Sequence, residues 1–283
     1  MTVVLGAVAY DPKVVLIWSG FRRWLGRRGV DLDFVLYSHY ERQTEDLVDG
    51  RLDLAWQSPL AWLRGMRLAA ARGSGLRPLL MRDTDRDLSS VVVVRADSGF
   101  HTVADLKGEV VATGAVDSPQ ATLLPLAHLA DLGLRPGEDF TVRRFDLAVG
   151  LHGDHVGGER EAARAMLAGE VAAACLLDAT SLALASEGTL PPGSARLLTR
   201  TAPYDHCVLA AGPTAPAEAT DRLVEQLLAM SYADPEARPL LDLEGLTAWL
   251  PGRTTGFGHL DAAVDLLGFY DRAGRVTAAG YSP

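Results

Sequence analysis

The chain has 283 residues, of which 48% are hydrophobic and 22% charged, as in a globular protein of one large or two medium domains. Its 27 basic and 36 acidic side chains give a net charge of −9, which disfavours nucleic acid and anionic membranes as partners. No apolar run reaches about 18 residues, so we expect no membrane insertion.

The chain begins directly with a strand-like segment. Met1 and Thr2 precede the apolar run 3–8, without a basic segment, a separate hydrophobic segment or a lipidated cysteine. We therefore expect a cytoplasmic protein, and a periplasmic or extracellular one if a leader has been trimmed. The two cysteines do not decide the compartment, because Cys175 lies in the apolar run 171–177 and is typical of a buried hydrophobe.

Strand-like and helical segments alternate along the first part of the chain. Residues 33–37 alternate in polarity, 40–48 form an amphipathic helix ended by Gly50, and 52–56 return to the core. This alternation favours a parallel, doubly wound α/β sheet. Since ligands bind at strand ends in such sheets, the residues that follow these strands are cleft candidates: Tyr10, His39, Tyr40, Gln57 and Ser58.

A second segment with binding potential follows the strand 109–112. Ser118 and then Pro119 predict a helix start, with Ser118 as the cap and the amides of Gln120 and Ala121 free to bind an anion. An ordinary capped helix without a ligand is the alternative. Farther along, Glu159 opens an amphipathic helix that ends at residue 168.

Two short stretches concentrate histidine, carboxylate and thiol groups. His152 and His155 lie in a glycine-rich loop, and Tyr204, Asp205, His206 and Cys207 are consecutive. Together with His39 they could meet in one crevice and bind iron or zinc, or move protons. Neither stretch has a recognised metal spacing, so ordinary loop residues are favoured at His152 and His155, and His206 is the stronger candidate.

Tyr40, the Asp-x-Ala-Trp of Asp53–Trp56 and the turn after it resemble the phosphonate-binding protein family of ABC importers. The resemblance implies an α/β type 2 periplasmic-binding-protein fold, with two lobes, a central cleft and two crossing strands. Lobe one would comprise residues 1–95 plus 209–283, and lobe two residues 96–208. From the sequence without the resemblance, two consecutive domains meeting near residue 136 are the alternative.

The resemblance also implies ligand contacts on lobe two, where the chain departs from the family pattern. Ser118 matches the start of a phosphonate-binding cradle, but the next two residues do not. Glu159 stands where a histidine is common in the family, and Ala172 replaces an aspartate. Asp178 falls near the position of an acidic ligand contact in many members.

Two functions follow as hypotheses. The first is a receptor that binds a small polar, anionic or zwitterionic ligand by hinge closure, with an ABC permease as partner if an exported form exists. Its candidate ligand contacts are Tyr10, Tyr40, Gln57, Ser58, Ser118, Gln120, Ala121, Glu159, Asp178 and Tyr204.

The alternative is a cytoplasmic biosynthetic enzyme on the same fold. His206, His39 and Asp205 would be its acid–base residues, and His206, Cys207 and His39 would be ligands of a transition metal, if one is bound.

Overall fold

Two β-sheets organise the protein, which the computed structural model describes over residues 1–153 and 157–282. The strands are β1 (Val3–Val8), β2 (Leu32–Tyr37), β3 (Leu54–Gln57), β4 (Arg77–Arg82), β5 (Ser90–Arg95), β6 (Val110–Thr113), β7 (Thr141–Arg144), β8 (Ala173–Leu177), β9 (Ala195–Arg200), β10 (Val208–Ala211) and β11 (Trp249–Pro251). Their order is β11-β4-β10-β3-β1-β2 in one sheet and β7-β6-β8-β5-β9 in the other. We call the region built on the six-stranded sheet lobe one and that built on the five-stranded sheet lobe two.

Helices pack against both sheets. They are α1 (Lys13–Gly26), α2 (Tyr40–Val48), α3 (Pro59–Ala71), α4 (Leu124–Asp131), α5 (Glu159–Leu167), α6 (Asp178–Ser186), α7 (Ala217–Leu228), α8 (Arg238–Glu244) and α9 (Gly258–Leu267). Within the described ranges, no helix has both the length and the apolar character needed to cross a membrane.

Most predicted elements are confirmed. The helix predicted from Tyr40 occupies Tyr40–Val48. The β-branched run 90–95 predicts a buried strand, and Ser90–Arg95 is one. Ser118 caps the predicted helix start, because its side chain accepts a hydrogen bond from the amide of Ala121. The first turn after it, Pro119–Leu123, is π-helical and leads into α4.

The predicted parallel pairing is found for β1 with β2 and β3 and for β6 with β7 and β8, but not for the strands that follow the crossings between lobes. β5 pairs antiparallel with β8, and β10 pairs antiparallel with β3. Each of these strands enters its sheet from the other lobe, so it runs opposite to the neighbours that end at the cleft. The two crossing segments themselves pair through backbone hydrogen bonds between Leu88 and Tyr204. The lobe boundaries at residues 95 and 208 stay a prediction.

Central strands are buried on both faces, which explains their continuous apolar sequences. Along β5, Val91 and Val93 face one core of lobe two, whereas Val92 and Val94 face the other. Cys175 lies in β8 with no exposed surface, and burial raises the pKa of its thiol to about 12. It is therefore the buried hydrophobe that the sequence predicts.

Candidate functional site

A cavity of about 280 Å³ lies between the lobes. From lobe one it is lined by Tyr10, Lys13, Trp56 and Arg82, from the crossing segment before β10 by His206 and Cys207, and from lobe two by Gln120, Gly153, Glu159, Leu177 and Thr180. Trp56, Arg82 and Leu177 stand at or next to the carboxyl ends of β3, β4 and β8, the place where open α/β sheets bind ligands. A second concavity between the lobes, lined by residues of α4 and α9, contains no residue of these strand ends.

Three of the residues lining this cavity have a buried polar atom without a hydrogen-bond partner among the described residues. These atoms are Glu159 Oε2, Gln120 Oε1 and His206 Nε2. Buried polar atoms in folded proteins are normally paired, so three at one cavity indicate a site shaped for a polar ligand. Two of the three are acceptors, which a ligand with N–H donors would satisfy.

The cationic side chains of the cavity are partly neutralised by their neighbours. The Arg82 guanidinium donates to both carboxylate oxygens of Asp85, at 2.5 and 2.8 Å, and to Glu244, and it lies over the Trp56 ring. Although burial opposes it, the charge of Asp85 raises the pKa of Arg82 well above its ordinary value. Lys13, whose ammonium lies 5.9 Å from the centre of the Tyr10 ring, is the second cation.

Glu159 is the buried acid of the cavity. It begins α5 and is 1% exposed. Burial raises its pKa from 4.5 to about 7, against the opposing effect of a hydrogen bond with Thr180. Near neutral pH, therefore, a small change in surroundings, such as a bound cation, would shift Glu159 between its neutral and charged forms.

Replacing Glu159 by glutamine should change how stability depends on pH. Because the folded-state pKa of about 7 exceeds the ordinary value of 4.5, the stability that Glu159 contributes is complete below pH 4.5 and is lost as pH rises through 7. The Tm of the unmodified protein should thus fall over this range relative to Glu159→Gln, by the equivalent of about 3 kcal/mol or less. Thermal melts across pH check this, and Glu161→Gln on the exposed side of α5 should keep the original profile.

Part of the predicted anion cradle is already used by contacts within the chain. The Ala121 amide donates to Ser118 Oγ, and Gln120 Nε2 donates to the carbonyl of Gly153 at 2.5 Å. Gln120 nevertheless borders the cavity. On lobe one, Gln57 is fully buried, and its carboxamide bonds to Gln43 and Thr44 rather than facing the cavity.

His152 is the residue that sequence reasoning missed. The sequence favours an ordinary loop residue here, whereas the structure buries its side chain completely. The imidazole stacks on Tyr40, with ring centres 4.8 Å apart, and its Nδ1 lies 2.6 Å from Ser58 Oγ. Tyr40 and Ser58 thus lie close together, as predicted for residues of one crevice. The group between them, however, is the His152 side chain of the protein itself. His155 lies outside the described residues.

The remaining candidates lie away from the cavity lining. Asp178 forms a half-exposed ion pair with Arg200, and the hydroxyl of buried Tyr204 bonds to Ser90 Oγ. Asp205 is 1% exposed and accepts two hydrogen bonds from Arg253. His39 packs against Gly150, so closely that a Cβ at Gly150 would lie 2.6 Å from His39 Nδ1.

Among the described residues, the side chains that could hold a metal together are Asp85, His206 and Cys207. His206 Nδ1 lies 3.1 Å from Cys207 Sγ and 3.4 Å from Asp85 Oδ1, a donor set suited to zinc. The third potential ligand is thus Asp85, not His39 as proposed from the sequence. The fit is partial, because the Arg82 guanidinium already binds both Asp85 oxygens. A transition metal at this position stays a prediction.

Comparison with solved structures finds the same architecture in binding proteins. PhnD1 from Prochlorococcus marinus, in complex with methylphosphonate, is 16% identical, with 94% of this chain and 98% of that chain covered and a TM-score of 0.68. A Xanthomonas citri protein bound to chloride ion is 23% identical, with 94% and 98% covered and the same TM-score. The periplasmic aliphatic sulphonate binding protein SsuA from Escherichia coli is 21% identical, with 94% and 91% covered and a TM-score of 0.58.

These likenesses confirm the two-lobed α/β fold with a central cleft. The sequence comparison with curated proteins gives no match. The family model described as "ABC transporter, phosphonate, periplasmic substrate-binding protein" matches residues 6–255, which is most of the chain. The chain therefore belongs to the phosphonate family of ABC-transporter periplasmic substrate-binding proteins.

Proposed function

We propose that the protein binds a small zwitterionic ligand in the cavity between its lobes and delivers it to an ABC permease. The observation that carries this proposal is the set of three unsatisfied polar atoms among the described residues of the cavity, on Glu159, Gln120 and His206. The ligand would contact both lobes and stabilise the closed arrangement, as in hinge closure.

The charges around the cavity favour a zwitterion over a simple anion. Arg82 is balanced by Asp85 and Glu244, so Lys13 and His206 are left to meet an anionic group. On the opposite wall, Glu159 and Gln120 offer acceptor oxygens suited to an ammonium group. A bound ammonium would also lower the pKa of Glu159. Because that pKa is about 7, the carboxyl group would then be charged at neutral pH.

A matched ligand series tests the proposal. Alkylphosphonates and alkylsulfonates are compared with aminoalkyl compounds of the same chain length by thermal shift and calorimetry. We expect the aminoalkyl member to bind more tightly, and Glu159→Gln to weaken it about tenfold or more through loss of a charge-assisted hydrogen bond. Glu161→Gln on the same helix is the control and should bind normally. Equal binding of both series, or of neither, would contradict a zwitterion site.

The enzyme hypothesis gains no support from the family, whose description is that of a binding protein. Its three residues also lie in different surroundings: His206 borders the cavity, Asp205 is held by Arg253, and His39 packs on Gly150. Binding is therefore the function that we retain, and catalysis and a cytoplasmic location stay predictions.

A further inference from the structure

The loop between β7 and α5 places one of its own side chains between predicted ligand contacts. His152 stacks on Tyr40 at an interplanar angle of 14°, and both rings are almost completely buried. The loop belongs to lobe two, whereas Tyr40 and Ser58 stand at strand ends of lobe one. The imidazole therefore bridges the lobes, as the proposed ligand would.

Both ring nitrogens of His152 have complementary partners. Nδ1 lies 2.6 Å from Ser58 Oγ, which also accepts the Ala61 amide. Nε2 donates to Glu41 Oε1 at 2.9 Å and lies 3.2 Å from the Tyr281 hydroxyl. A hydroxyl facing one ring nitrogen and a carboxylate facing the other suit the two polar atoms of a flat imidazole ring.

The charges of the subsite disfavour an oxyanion. Glu41 is buried beside the ring, and Asp117 is buried behind the loop, where its Oδ2 accepts the amides of Gly150 and His152. Two buried carboxylates would repel a phosphonate or sulfonate placed between Tyr40 and Ser58. They attract N–H donors instead, which the loop supplies.

The backbone of the loop is held in a strained form. His152 has a φ of 52° and Ala148 a φ of 58°, both in the left-handed region that non-glycine residues rarely adopt. Such conformations persist where the surrounding contacts over-determine them. Here the contacts are those of Asp117 with the loop amides and of Gln120 with the Gly153 carbonyl.

We propose that His152 is an intrachain ligand, held in a cleft subsite of Tyr40, Ser58 and Glu41 that recognises an imidazole ring and rejects oxyanions. The external ligand is thereby confined to the neighbouring cavity, so His152 is a specificity-determining residue. The inference deepens the proposed function and rests on it for the role of the cleft, but the chemistry of the subsite can be tested by itself.

Free imidazole is the probe. His152→Ala removes the ring and leaves a space of its shape, so imidazole in large excess should raise the Tm of this variant by about 3 °C or more. The unmodified protein should show no such rise, and methylphosphonate should stabilise His152→Ala no more than the unmodified protein. A larger rise with methylphosphonate in His152→Ala than in the unmodified protein, or no rise of His152→Ala with imidazole, would overturn the proposal.

A matched variant separates the subsite from general effects of imidazole. His128→Ala removes a part-buried imidazole that bonds Thr199, outside the cleft, and imidazole should leave its Tm unchanged. If His152→Ala is insoluble with and without imidazole, His152→Gly, which also leaves the space open and adopts the φ of 52° readily, is measured in the same way, and the absence of an imidazole-dependent rise there overturns the proposal. Because the decisive readout is the imidazole-dependent difference between His152→Ala and the unmodified protein, it does not depend on the outcome of the ligand series above.

Discussion

Replacing Glu41 by alanine should destabilise the protein by about 3–5 kcal/mol, the cost of breaking a buried, hydrogen-bonded charge network. Glu41 Oε1 accepts hydrogen bonds from His152 Nε2 and from the hydroxyls of Tyr270 and Tyr281. Removing the carboxylate leaves all three donors buried without their acceptor. Chemical denaturation with urea measures the change in the free energy of unfolding.

The stability that Glu41 contributes should also depend on pH. Burial alone would raise the pKa of Glu41, but the charge of His152 and hydrogen bonds from His152 and Tyr281 outweigh it and lower the pKa to about 2. The stability contributed by Glu41 is thus complete above its ordinary value of 4.5 and is lost as pH falls towards 2. The unmodified protein should lose stability over this acid range more steeply than Glu41→Ala.

Glu138→Ala is the control for the Glu41 network. Glu138 forms a surface ion pair with Arg135 in which both side chains are largely exposed, so its loss should cost about 0–1 kcal/mol. If Glu41→Ala were as mild as this control, the buried network would not be a stabilising feature of the fold.

Gly256→Ala should destabilise the protein by about 2–4 kcal/mol, through overpacking and the loss of a buried ion pair. A Cβ at this position would lie 2.0 Å from Cγ of Asp205, which is 1% exposed. Asp205 cannot move aside without losing its two hydrogen bonds from Arg253 and the one from the Asp87 amide. Calorimetric melting temperatures measure the effect.

The control for Gly256 is Gly26→Ala. Gly26 is the last residue of α1, and a Cβ there would meet no described atom within 4 Å other than those of its chain neighbours and its own helix backbone. Alanine in a helix restricts the unfolded chain without a clash, so this variant should be neutral or more stable by up to about 1 kcal/mol. A Gly256→Ala variant that behaved like Gly26→Ala would contradict the close packing on Asp205.

Local sequence signals predicted the elements of the fold well. The amphipathic pattern from Tyr40, the β-branched run 90–95 and the cap at Ser118 each depend on neighbours within a few residues. The antiparallel pairing of β5 and β10 was not predicted. The direction of each strand depends on the lobe from which the chain crosses, and local sequence patterns carry no information about that.

The candidate site was predicted less completely for the same reason. Tyr10, Gln120, Glu159 and His206 do meet at one cavity. His152 was missed because its partners Ser58 and Glu41 lie 94 and 111 residues away in the chain. The visible local signal was a glycine-rich loop containing histidine, which more often indicates an exposed segment.

The position of β10 has a consequence for how the protein is made. β10 lies between β3 and β4, although about 125 residues separate it from β4 in sequence, and β11 follows on the outer side of β4. During synthesis, every strand of lobe two has emerged before β10 does, so lobe two can fold while the sheet of lobe one is still divided. Until β10 is inserted, β3 and β4 expose unpaired edges, and the nascent chain is most prone to aggregate in that interval.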